Sequence, residues 1–141
     1  MNYWPIVTTV INKLPWGKIF RRKQRCLLIV EDRQEDGEFL KALVGVYGHD
    51  CVLVSTAEAG LSLIEQKPDR FPICFLDMRL PLMSGLELIP RVLAIAPQAH
   101  VVAVTGAVED LYDLPPGIYI GVISKPISAS SIRSVINKTR L

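Results

Sequence analysis

The chain has 141 residues, half of them hydrophobic and 21% charged. That suits one domain with a substantial core and excludes whole-chain disorder, a collagen-like repeat or a disulfide scaffold; no apolar run reaches the ~18 to 20 residues of a membrane span. The net charge of +2 hides an asymmetry: residues 1–25 carry Lys13, Lys18, Arg21, Arg22, Lys23 and Arg25 and no acid, leaving ten basic residues against fourteen acidic ones in 26–141, so nucleic-acid binding does not follow from the overall charge.

Residues 1–25 read as a basic amphipathic arm. Ile6, Val7, Val10, Ile11 and Leu14 share one helical face, Pro5 suits a first turn, and Pro15-Trp16-Gly17 ends the pattern. The positive charge follows the apolar stretch, the reverse of a secretory signal. Three roles stay open: docking on the domain or on a second copy, a disordered tail, or contact with a membrane surface or another anionic partner through Trp4, Trp16, Phe20 and their basic neighbours.

The domain occupies 26–141 and alternates short apolar runs with helical patterns. Cys26 to Val30 is too brief for a helix and suits a buried parallel strand. A helix is expected over about 35–47, with Phe39, Leu40, Leu43, Val44 and Tyr47 at helical spacing and Gly48 as its stop. Cys51 to Val54 is a second strand. Ser55-Thr56 caps a helix over about 57–66, with Leu61, Leu63 and Ile64 inward. Ile73 to Leu76 is a third strand ending at Asp77. The loop 78–85 leads to a helix over about 86–95, where Pro90 implies a kink or a late start. Val101 to Val104 is a fourth strand ending at Thr105. The prolines of Leu114-Pro115-Pro116-Gly117 limit the next helix to roughly 107–113 or make it irregular. Ile118 to Ile123 is a fifth strand, and 128–138 a last helix with Ile132, Val135 and Ile136 inward. Five such strands with helical crossovers specify an α/β fold whose parallel sheet is covered on both faces. Cys26, Cys51 and Cys74 form no CxxC pair and read as buried, reduced thiols, which favours a cytoplasmic setting. His49 and His100 read as surface residues at strand edges.

In open α/β sheets the working site lies beyond the carboxyl ends of the strands. Glu31 and Asp32 follow the first strand, Asp77 the third, Thr105 the fourth and Lys125 the fifth. Three close carboxylates repel one another unless protonated or bound to a cation, and an oxygen-only donor set suits Mg²⁺ or Mn²⁺. A carboxylate can also attack phosphorus, with a cation, a lysine and a hydroxyl neutralising the phosphoryl oxygens.

The stretches LLIVED (27–32), FLDMRLPLMSG (75–85), VVAVTG (101–106) and ISKP (123–126) resemble the CheY-like receiver domain of bacterial two-component response regulators. The third-strand stretch is the most specific, with proline four and glycine eight residues after Asp77. The resemblance implies a doubly wound (βα)5, flavodoxin-like three-layer sandwich with parallel strand order 2-1-3-4-5. It implies Asp77 as phosphoacceptor, Asp32 as direct Mg²⁺ ligand with Glu31 as a secondary one, and the main-chain carbonyl of Arg79 as a further ligand. It implies Thr105 as the hydroxyl that moves toward the phosphoryl group, Lys125 as its ion-pair partner, and a cis bond at Lys125-Pro126. Two features depart from the family pattern. Val122 stands where a switch aromatic usually lies, with Tyr112 and Tyr119 at the wrong offset, and the segment between Thr105 and Lys125 is compressed.

The function so implied is a signalling switch of a phosphorelay. It would accept a phosphoryl group on Asp77 from a histidine kinase or histidine phosphotransfer protein and act through contact with a downstream protein, without a DNA-binding domain in this chain. Such a chain assists only its own chemistry and is not an enzyme with turnover on a free substrate. One alternative is a phosphorylation-independent docking module. Another is a metal-dependent aspartyl-phosphate hydrolase, disfavoured because Arg79 stands where haloacid-dehalogenase-like enzymes carry a second aspartate.

Overall fold

The apolar runs form five strands in the computed structural model, which describes residues 26–118 and 120–139. These are β1 (Cys26–Val30), β2 (Asp50–Val54), β3 (Ile73–Asp77), β4 (His100–Thr105) and β5 (Gly121–Ser124). All pair in parallel, in the order 2-1-3-4-5. Among the described residues four helices join and follow them: α1 (Gln34–Val46), α2 (Ala57–Gln66), α3 (Gly85–Ile95) and α4 (Ala129–Lys138). The arm expected at 1–25 lies outside the described residues.

Strand alternation divides the interior into two cores. Leu28 and Val30 of β1, Cys74 and Leu76 of β3, and Val101 and Ala103 of β4 face one way, against Leu61 and Ile64 of α2 and Leu88, Ile89 and Val92 of α3. Leu27, Ile29, Ile73, Phe75, Val102 and Val104 face the other way, against Leu40 and Val44 of α1 and Ile132, Val135 and Ile136 of α4. Every residue of β3 is buried, as expected of a central strand covered on both faces. This is the doubly wound, three-layer α/β sandwich.

Local chemistry fixes several ends. The Thr56 hydroxyl caps α2 by accepting from the Ala59 N–H (3.1 Å), and Ser128 caps α4 by accepting from the Ser131 N–H (3.3 Å). Gly85 opens α3 against the β3–α3 loop. A Cβ there would lie 2.5 Å from Met78 Sδ and 2.7 Å from Met78 Cα, so the glycine of the third-strand stretch is a packing requirement. The Lys125-Pro126 peptide is cis.

The structure corrects several details. Helix α3 starts at Gly85, so Pro90 lies inside it and not before a late start; lacking an N–H, it leaves one carbonyl of the preceding turn without its helical donor. Phe39 is half exposed, whereas Leu40 and Val44 of the same helix are fully covered. The fifth strand begins at Gly121, not at Ile118. Ile118 and Ile120 instead pack with Leu111 and Leu114 against the core beside α3. Among the described residues the fourth crossover contains only a 3₁₀ turn, Val108–Leu111, in keeping with the proline limit. Cys74 is buried but Cys26 and Cys51 are partly exposed, and both histidines are half-buried where surface positions were expected.

Candidate functional site

Strand β1 leads to β2 on one side and, after crossing back, β3 lies on its other side. The chain therefore reverses direction across the sheet between β1 and β3, and the strand ends there leave a crevice. Glu31 and Asp32 follow β1 directly, and Asp77 is the last residue of β3. The carboxylates of these three residues each offer an oxygen, all within 4.8 Å of one another. Glu31 and Asp77 are buried, whereas Asp32 is exposed.

Lys125 completes the cluster from the loop after β5. Its backbone N–H donates to the Thr105 carbonyl (2.8 Å), which fixes the approach of that loop to the end of β4. Its ammonium lies 3.2 Å from Glu31 Oε2, 3.5 Å from Asp77 Oδ2 and 3.5 Å from Asp36 Oδ2. Asp36, in the first turn of α1, is a member that sequence reading missed. Its signal was available: an acid in the first turn of the helix that follows β1 sits at the same end of the sheet as Glu31 and Asp32.

The charges act on each other through low-dielectric surroundings. Burial first, and then the neighbouring Asp77 carboxylate, push the Glu31 carboxyl up to about 7, against the opposing pull of Lys125. Burial works against the Lys125 ammonium, but Asp77 and Glu31 outweigh it and hold its pKa above the ordinary lysine value. A carboxyl driven up by a carboxylate neighbour has an excess of negative charge around it, which one ammonium does not fully neutralise. The donor set is all oxygen, crowded and over-acidic, and it fits a small divalent cation.

Asp77 is also held by the backbone. Its Oδ1 accepts from the main-chain N–H of Arg79 (3.0 Å), leaving Oδ2 toward Lys125. This fixes the backbone of residue 79 beside the cluster, the neighbourhood in which its carbonyl was expected to serve. The Arg79 side chain turns elsewhere, to form two parallel bonds to Asp110: Nε to Oδ2 (3.0 Å) and a terminal guanidinium nitrogen to Oδ1 (3.1 Å).

Thr105 is buried at the end of β4, and β3 pairs with β4 so that Asp77 lies opposite Val104. The Thr105 hydroxyl is engaged by Asp110 Oδ2 at 2.7 Å, and its oxygen accepts from the Ala107 N–H (3.1 Å). Asp110 is a second residue that sequence reading missed. No spacing announced it, because the 3₁₀ turn that carries it back to Thr105 has no regular pattern. Glu31, Asp32, Asp77 and Lys125 are thus brought into one cluster, with the Arg79 backbone fixed to it. Thr105 stands next to this cluster with its hydroxyl occupied.

Comparison with known proteins agrees with this fold. Residues 27–137 match the family model described as response regulator receiver domain. A response regulator receiver protein of Anaeromyxobacter sp. (strain Fw109-5) is 31% identical over 86 residues, 61% of this chain and 35% of that protein. The transcriptional regulatory protein DltR of Streptococcus agalactiae is 29% identical over 109 residues, 75% of this chain and 47% of that protein. The chain thus spans less than half the length of these curated relatives. A response regulator receiver domain (CheY-like) from Methylobacillus flagellatus superposes with a TM-score of 0.75 at 26% identity, over 83% of this chain and 99% of that one.

Proposed function

The chain belongs to the response regulator receiver domain family of two-component signalling, and we propose that it works as a phosphoryl-accepting switch with Asp77 as the acceptor. The observation that carries this reading is the arrangement around Asp77: one carboxylate oxygen is held by the Arg79 N–H and the other faces the Lys125 ammonium, within a three-carboxylate cluster. Receiver domains generally take Mg²⁺ at an acidic pocket, and Glu31, Asp32 and Asp77 would hold it here, with the Arg79 carbonyl as a further ligand. When bound, the cation neutralises carboxylate and phosphoryl charge.

The residues perform the transfer as follows. An Asp77 carboxylate oxygen attacks phosphorus of a phosphohistidine on a histidine kinase or phosphotransfer protein. The new P–O bond forms as the P–N bond breaks, and the electron pair leaves with the imidazole nitrogen, which takes up a proton. Lys125, already beside Asp77, pairs with a phosphoryl oxygen, and the Thr105 hydroxyl donates to another. The output is contact with a downstream protein. A cytoplasmic setting is part of this reading; among the described residues no helix is long and apolar enough to cross a membrane.

Intact-mass measurement after incubation with acetyl phosphate and Mg²⁺ tests the proposal. One added phosphoryl group on the wild type and none on Asp77→Asn is the expected result. Label on Asp77→Asn would refute the acceptor assignment. No label on folded wild type would favour the docking-module reading, to which the half-exposed Val122 and the 3₁₀ crossover lend support.

A further inference from the structure

We infer that Asp110 restrains the switch: it is a positioning residue that holds two side-chain hydrogen-bond donors, the Thr105 hydroxyl and the Arg79 guanidinium, away from an incoming phosphoryl group on Asp77. The inference rests on the reading of Asp77 as phosphoacceptor.

A phosphoryl group on Asp77 presents three anionic oxygens at the strand ends. Lys125 can meet one of them, since it already lies 3.5 Å from Asp77 Oδ2. The other donors near at hand are set by the chain. Thr105 follows the residue opposite Asp77 in the β3–β4 pairing, and Arg79 lies two residues beyond Asp77 with its own N–H bonded to that carboxylate.

Both donors are occupied by the same group. The Thr105 hydroxyl has one proton, and the 2.7 Å distance to Asp110 Oδ2 is shorter than the 2.9 Å to the Ala107 carbonyl. A carboxylate accepts more strongly than a carbonyl. The Arg79 guanidinium spends two of its N–H groups on Asp110 in the planar two-bond geometry that arginine forms best with carboxylates. The two donors in turn hold the Asp110 carboxyl below the usual aspartate range, Arg79 first and Thr105 second.

The phosphoryl group and Asp110 are therefore competing acceptors for one hydroxyl and one guanidinium. When the phosphoryl group wins, Thr105 turns toward Asp77 and Asp110 loses its tie to β4. The 3₁₀ turn that carries Asp110 is then free to move. This route from Asp77 to the surface runs through a carboxylate on the crossover and needs no aromatic side chain at position 122.

Titration calorimetry with beryllofluoride in excess Mg²⁺ tests the inference, because this anion mimics a phosphoryl group without covalent chemistry. Asp110→Ala is expected to bind it about three- to tenfold more tightly than wild type, the fold-change that corresponds to losing one partly exposed charge-assisted competitor. The gain should shrink toward nothing when Thr105→Ala or Arg79→Ala is already present, a non-additivity that a merely structural role for Asp110 would not produce. Mg²⁺ affinity should stay the same. Asp110→Asn, which keeps an acceptor for Thr105 but loses the charge, should fall between the two and serves if the alanine variant does not fold. Wild type that binds, with Asp110→Ala equal or weaker, overturns the inference and leaves the receiver reading intact. Wild type that does not bind overturns both.

Discussion

Glu31 is 5% exposed and shares the crevice with Asp77 and Lys125. Its carboxyl ionises near 7 in the folded protein, against 4.5 as the ordinary value. The folded state therefore holds a proton that the unfolded state has released, and stability is fully present below the unfolded value and lost as pH rises through about 7. Linkage across that interval amounts to about 3 kcal/mol. Asp110 and His100 have the opposite sign: the lowered pKa of Asp110 confines its loss of stability to pH below the usual aspartate range, whereas burial lowers His100, whose cost appears as pH falls below the ordinary histidine value and offsets part of the Glu31 slope. In metal-free buffer, Tm should fall by several degrees between pH 5 and pH 7.5. Glu31→Gln should flatten the slope, and millimolar Mg²⁺ should restore the wild-type Tm above pH 7 while doing little at pH 5, where a proton occupies the site. A wild-type Tm that is flat with pH and indifferent to Mg²⁺ would contradict the crowding of these carboxylates.

The elements show why one glycine is fixed and another is free. Gly85→Ala drives a Cβ into Met78, including its backbone Cα at 2.7 Å, and should cost about 1–3 kcal/mol as overpacking. Gly45→Ala, near the end of α1 with nothing within 4 Å of the added carbon, should instead stabilise by up to about 1 kcal/mol through helix propensity. Urea unfolding of both variants checks the pair, and a neutral Gly85→Ala would show that the loop before α3 yields. The strands near the site were legible because each is an apolar run cut off by a charged or hydroxyl residue: Val30 before Glu31, Leu76 before Asp77, Val104 before Thr105. The fifth strand was misplaced for a physical reason. Ile118 and Ile120 have strand-like side chains, yet they cover the sheet face that a fourth crossover helix would otherwise cover, because Pro115 and Pro116 forbid one. Lys125 was legible from its place after the last strand. Asp36 was missed although its place in the first turn after β1 offered a signal, whereas Asp110 was not legible, since it depended on an irregular turn returning to β4.

At the scale of the molecule, the sheet gathers side chains from positions 31 to 125 at one end: the β1–β3 pairing brings the three carboxylates together, and the β3–β4 and β4–β5 pairings add Lys125. The support beneath it is uneven. Strands β1 and β3 run between two helical layers and are buried almost throughout. Strand β5 lies at the sheet edge, shows an exposed Val122 and Ser124, and has on one flank a turn and loop residues where the other strands have a helix. Regions with few buried apolar contacts open before the rest of a domain. Amide hydrogen exchange should therefore release β5 and the Val108–Leu111 turn well ahead of β1 and β3, and uniform protection across all five strands would contradict this. Lys125 and Asp110 both belong to that early-opening unit, whereas Asp77 belongs to the last. On the proposed reading, with that order of opening, the acceptor is anchored in the slowest part of the protein while the groups that would answer it sit in the fastest, so the site could loosen on its responding side without disturbing the Asp77 carboxylate.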